Sequence, residues 1–139
     1  MNRAYLWSVV VFFILFVSCD NMFVDCENYD YYDCDQNEPT QGELSVELTI
    51  NSENPAVPVV IYLGNFEERD TVLDTILTTS ELKYNLDVDH RYSATATYHS
   101  GDKTIVAVDG DDMEKKSSKV CSATCWKVKG NILDIRLKN

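Results

Sequence analysis

The stretch ELKYNLDVDHRYSATATY, Glu81–Tyr98, decides how the rest of the chain is read. Leu82, Tyr84, Leu86 and Val88 fall on alternate positions, and after a polar break the alternation resumes with Tyr92, Ala94, Ala96 and Tyr98. Residues two apart share one face of a strand, so each half carries one apolar and one polar face. Two half-buried strands with a short connection are predicted here, and no helix.

The same period extends to both sides. ELSVELTI (43–50) puts Leu44, Val46, Leu48 and Ile50 on one face. VPVVIYLG (57–64) puts Val57, Val59, Ile61 and Leu63 in phase, with Pro58 marking an edge position or a strand start because it lacks a donor. TVLDTIL (71–77) is a further strand, and the turn HSGDK (99–103) leads into TIVAVD (104–109). The polar segment Gly110–Lys119 reads as a turn. WKVKGNILDIRLK (126–138) reads as a hairpin over Gly130-Asn131 with Leu133, Ile135 and Leu137 inward. No helical period is sustained after Gly42. Seven to eight short strands at regular spacing predict an all-β, antiparallel sandwich over 42–139.

The N-terminus has a different character. After Met1-Asn2-Arg3, residues 4–17 are apolar except for Ser8, and small Ser18 precedes Cys19. That order of charge, apolar run and small residue is a secretory signal covering 1–18, too short to span a bilayer. The ending Phe16-Val17-Ser18-Cys19 resembles the lipobox of bacterial lipoproteins, with Phe16 where Leu is usual. The resemblance implies cleavage before Cys19 and lipid on its sulfur and amino group. Residues 19–41 then form a lipidated acidic stalk. Asp20–Glu43 holds eight acids and no base, with Tyr29, Tyr31 and Tyr32 interleaved, and cannot bury enough apolar surface to order itself.

Charge narrows the partners. The 139 residues carry 12 Lys and Arg against 23 Asp and Glu, a balance of −11. Loss of Arg3 with the leader leaves 11 against 23, or −12. Such a chain is repelled by nucleic acid and by anionic lipid, so a covalent lipid is the expected link to the membrane. Setting Cys19 aside leaves Cys26, Cys34, Cys121 and Cys125, an even set that reads as two disulfides in an oxidising compartment. Their spacings lack the paired C-x2-C of a zinc site. Three connectivities are open. Bonds between the two segments are favoured, because cysteines four apart in a strand lie roughly 13 Å from each other. A turn at CSATC (121–125) would allow the local alternative. The acidic start and the basic end, seven bases and one acid over 115–139, would draw the stalk toward the last strands.

Tyr92, following Leu86 and Val88 in LDVDHRYSATA, resembles the tyrosine corner of immunoglobulin-like domains. The strings VPVVIYLGNF, YSATATYHSGDKTIVAVDG and CWKVKGNILDIRLK resemble small lipoproteins of Bacteroidetes-type bacteria. Those relatives imply one immunoglobulin- or transthyretin-like sandwich with no assigned activity.

Sites are sparse. No nucleophile elbow, phosphate loop or H-E-x-x-H motif is present, and His90 and His99 sit in turns, so catalysis is not expected. Immunoglobulin topology would gather Asp87, Asp89, Asp109, Asp111 and Asp112, with Glu114, at one end, an oxygen-rich set of the kind calcium prefers. Their spacing does not fit an EF-hand, and Lys115 and Lys116 follow at once. No other cofactor is expected. The opposite end would carry GNFEERD (64–70) and HSGDK, with Phe66, Tyr98 and His99 as binding contacts. The expectation is an exported, lipid-anchored envelope protein of the outer membrane, a non-catalytic binding or structural module. Its partner would be an envelope protein or a glycan, with calcium- or glycan-dependent adhesion as the alternative and an enzyme more distant.

Overall fold

A computed structural model describes residues 26, 27 and 33–138, in two units, Met1–Asp30 and Tyr31–Asn139. The signal peptide, the lipidation site Cys19 and stalk residues 20–25 and 28–32 lie outside the described residues. Of the first unit, Cys26 and Glu27 form an exposed turn.

The second unit is an all-β sandwich. Its strands are β1 (Gln41–Glu47), β2 (Val57–Leu63), β3 (Thr71–Leu77), β4 (Glu81–Asp87), β5 (His90–Ser100), β6 (Lys103–Val120), β7 (Ala123–Lys129) and β8 (Ile132–Asp134). One sheet has the order β4-β1-β8 and the other β3-β2-β5-β6-β7. Every pair is antiparallel except β1 with β8, which run parallel.

Most of the alternation read from the sequence is the core, joined by Met113 from the segment read as a turn, whereas Tyr84, in phase with Leu82 and Leu86, is 38% exposed. Leu44, Val46, Val57, Val59, Ile61, Ala94, Tyr98, Met113 and Leu133 are completely buried, and Leu48, Ala96 and Ile135 nearly so. Each large aliphatic side chain so placed contributes about 1.5–3 kcal/mol relative to exposure. Pro58 sits at the start of β2, before pairing with β5 begins at Val59, so its missing donor interrupts only the strand's end.

The chain passes from the three-stranded to the five-stranded sheet at Val88-Asp89, where Asp89 has a φ of 64°. The Tyr92 hydroxyl donates to the Asp87 carbonyl at 2.9 Å across this corner. The tyrosine corner is therefore present, and it fixes the angle at which β5 leaves β4.

Two expectations are corrected. Gly110–Lys119 is no turn but the middle of the 18-residue strand β6. Its first part pairs with β5 through Met113, and its second part pairs with β7 from Glu114. Beyond Met113 the strand runs past the end of β5, and Lys116–Lys119 are exposed whichever way they point, which erases the apolar alternation. Nor does Gly130-Asn131 make a hairpin. β7 belongs to the larger sheet and β8 to the smaller, so the chain crosses the sandwich there. Gly130, with a φ of 67°, makes the crossing possible, because a Cβ at that position would lie 2.0 Å from the Asp112 carbonyl oxygen. Leu133 and Ile135 do point inward, with Leu137 packed at the margin.

Residues 33–40, read from sequence as stalk, are tied to this unit. Cys34 and Cys125 form a disulfide, with Cα atoms 4.8 Å apart and 91 residues between them in sequence. Cys26 and Cys121 are also disulfide-bonded. The Cys34 bond joins the two cysteine segments, as favoured, and excludes both local pairings. Beside it the Trp126 amide donates to the Asp35 carbonyl at 2.7 Å, and Lys115 Nζ meets Glu38 at 2.8 Å.

Candidate functional site

The two loops do not share one end: HSGDK lies at the end opposite Asp87 and Asp89, as expected, but GNFEERD lies at theirs. The Gly64 amide donates to the Arg91 carbonyl at 2.8 Å, and Arg91 Nε donates to Asn65 Oδ1 at 2.9 Å. GNFEERD therefore sits at the start of β5. HSGDK lies at the far end of the same strand, where the Asn54 side-chain amide donates to the His99 carbonyl and accepts the His99 amide, and Glu53 accepts the Gly101 amide. Antiparallel pairing of β2 with β5 forces this separation: the loop leaving β2 must adjoin the beginning of β5. Phe66 and His99 thus do not share a site.

Tyr98 is not a surface contact at all. It is completely buried, and its hydroxyl donates to the Ile135 carbonyl and accepts the Thr49 amide. Being in phase with Tyr92, Ala94 and Ala96, it had to point inward, and burial raises its pKa.

Asp87, Asp89, Asp111 and Asp112 lie toward one end of the sandwich while Asp109 pairs with Ala94 near the middle of β5, and each is engaged separately. Asp87 accepts Gln41 Nε2 at 3.0 Å. Asp89 pairs with Lys115 at 3.1 Å, and the hydrogen bond from Lys115 lowers the Asp89 pKa. Asp109 accepts the Gly110 and Asp134 amides. Asp111 accepts the Asp112 amide, and Asp112 pairs with Arg91 at 3.3 Å. Glu114 pairs with Lys116. No three acidic, histidine or cysteine residues converge as metal ligands among the described residues. The strand conformation of 109–114 divides the set, since Asp109 and Asp111 fall on one face and Asp112 and Glu114 on the other.

Among the described residues, a groove of about 580 Å³ on the outer face of the larger sheet has binding geometry. Tyr62, Thr95 and Val106 contribute its floor, Thr71 lies on β3, and Phe66, Glu67 and Arg69 come from the loop after β2. That loop is a 3-10 turn, Phe66–Glu68. The Glu68 amide donates to the Asn65 carbonyl and the Arg69 amide to that of Phe66. Arg69 ends the turn at a φ of 58°. Ser93 Oγ donates to the Gly64 carbonyl at 2.9 Å and holds the loop onto the sheet. So fastened, the turn presents Phe66 with 38% of its surface exposed.

Phe66 alone among these lining residues was singled out in the sequence. Tyr62 and Val106 carried a signal that alternation usually hides: they are large apolar residues on the outward phase of β2 and β6. Val106 is 57% exposed. Arg69, Thr71 and Thr95 carried none, because only the fold brings them together.

No family model matches the chain, and neither a curated protein nor a solved structure does. The meaning of the groove rests on its own residues.

Proposed function

We propose that this chain is an exported lipoprotein of the bacterial cell envelope, held by lipid on Cys19 at the outer membrane, and that it acts as a non-catalytic binding module. The carrying observation is the Phe66 turn: an aromatic ring kept half in water by a hydrogen-bonded loop, beside a groove on a rigid sheet. Exposing such a ring has a hydrophobic cost, and a ligand that covers it recovers that free energy. The disulfides support export, because such bonds persist in oxidising compartments. The odd cysteine and the lipobox-like ending before it support the anchor.

The test has two parts. Mass spectrometry of the protein from its native envelope should find Cys19 as the first residue, carrying fatty acid; an intact leader would refute the anchor. Capture from that envelope should yield a ligand with the wild-type chain and lose it with Phe66→Ala. Equal capture by both refutes the binding face.

A further inference from the structure

We infer that the Phe66 groove takes a neutral saccharide. This rests on the binding-module reading and names the class of its ligand. The floor argues first: Tyr62 and Thr95 belong to strands paired on both sides, so their backbone groups are spent in the sheet. The open ladder edges, on β3 and on the part of β6 paired only with β5, lie in the plane of the sheet, so a ligand resting on the face of Tyr62 and Thr95 is read by side chains. The side chains available are two aromatic rings, two threonine hydroxyls, one carboxylate and one guanidinium.

Charge argues second. Glu67 and Arg69 form no ion pair or side-chain hydrogen bond among the described residues, so both are available to a ligand. One charge of each sign leaves the groove lining without net charge, so the lining selects neither an anion nor a cation. Around it the chain carries −11, and this disfavours an acidic ligand. A neutral ligand rich in hydroxyls matches a carboxylate acceptor, a guanidinium donor and threonines that do both.

The rings argue third. One face of a pyranose is lined by C–H bonds polarised by neighbouring oxygens, and an aromatic ring offers them its electron-rich face. Phe66 is exposed for this, and the groove volume lies within the range of small-ligand sites.

The experiment titrates the full-length chain, disulfides intact and in detergent, with panels of neutral and uronic-acid-containing oligosaccharides. A neutral oligosaccharide should bind, and Phe66→Ala and Thr95→Val should each weaken it by roughly tenfold with unchanged thermal midpoints. Thr95→Val removes a hydroxyl while keeping the floor's shape, so it tests recognition separately from folding. Absence of neutral-sugar binding at millimolar concentration overturns the inference, as does stronger binding of the acidic panel or binding indifferent to both substitutions. If no sugar binds while Phe66→Ala still abolishes capture from the envelope, the saccharide assignment falls and the binding-module reading stands. If capture is also indifferent to Phe66, both fall.

Discussion

The hydroxyl of Tyr98 on β5 donates to the Ile135 carbonyl at 2.9 Å, tying the larger sheet to the chain segment that follows β8. The same oxygen accepts the Thr49 amide at 3.0 Å, so one buried phenol satisfies backbone groups from two segments of the opposite side. Tyr98→Phe removes the oxygen, fills the same volume and leaves a carbonyl and an amide without their partner. The expected loss is about 1–3 kcal/mol, read as a lower urea midpoint at unchanged slope. A variant as stable as wild type would show that water takes over both groups.

Stability should fall in alkali, over the range in which the phenols and lysines titrate. Burial raises the pKa of Tyr92 and Tyr98 above the usual 10.0, and bonds to Glu43, to Glu38 and Asp89, and to Glu114 raise those of Lys83, Lys115 and Lys116. A group whose folded pKa is raised contributes stability that is complete below its unfolded pKa and is lost as pH rises through the folded one. The urea midpoint should therefore hold up to about pH 9 and fall beyond pH 10. The fall should be shallower in Tyr98→Phe, which has one such group fewer.

The acid limb has the opposite sign. Asp89 and Asp134 have pKa values below the usual 3.8, owing first to hydrogen bonds from Lys115 and from Arg136. Their contribution is present above the unfolded pKa and is lost as pH falls through the lowered one. Asp89→Asn suits the test, because asparagine tolerates the positive φ of 64° and can still accept the Lys115 amide. Its stability should lose less between pH 5 and pH 2 than that of the wild type, in urea melts at each pH.

What could be read from the sequence followed from where side chains meet the core. Leu44, Val59, Ile61, Ala94 and Leu133 alternate because one face of each strand is buried, and that signal is local. Tyr92 announced its corner for the same reason. Gly110–Lys119 did not announce a strand, because past Met113 β6 draws its order from pairing with β7, and backbone pairing leaves no hydrophobic period. Gly130 looked like a hairpin turn, since a positive φ serves both a turn and a crossing, and which one it makes depends on Asp112, 18 residues earlier. The groove was least visible of all: Tyr62, Arg69, Thr95 and Val106 become neighbours only through sheet register and the tethered loop.

The Cys34–Cys125 bond closes a span of 91 residues, so its removal enlarges the unfolded ensemble. Replacing both cysteines by alanine should cost about 2–4 kcal/mol. A local readout accompanies the global one. The Trp126 amide bonds Asp35 rather than β6, so its hydrogen-exchange protection should vanish, while amides of β7 directed to β6 keep theirs. Retained protection at Trp126 would show that the Lys115–Glu38 pair or the disulfide bonding of Cys26 and Cys121 holds the segment without this bond.

Two glycines separate backbone strain from steric conflict. Gly101 and Gly130 have φ values of 57° and 67°, so alanine meets the left-handed penalty at both, roughly 1–2 kcal/mol. At Gly101 a new Cβ meets nothing within 4 Å, and Gly101→Ala should cost that penalty alone. At Gly130 the Cβ would lie 2.0 Å from the Asp112 carbonyl oxygen and 2.8 Å from its carbon. Backbone cannot swing aside as a side chain does, so β7 must move off β6 or the crossing to β8 must open. Gly130→Ala should then cost about 4 kcal/mol or more, in the range reserved for severe lesions. It should also weaken the β1–β8 pair, seen as faster exchange of the Ile135 amide that donates to Glu47. Equal melting points for the two variants would mean that the crossing is loose, and that Gly130 is there for its φ alone.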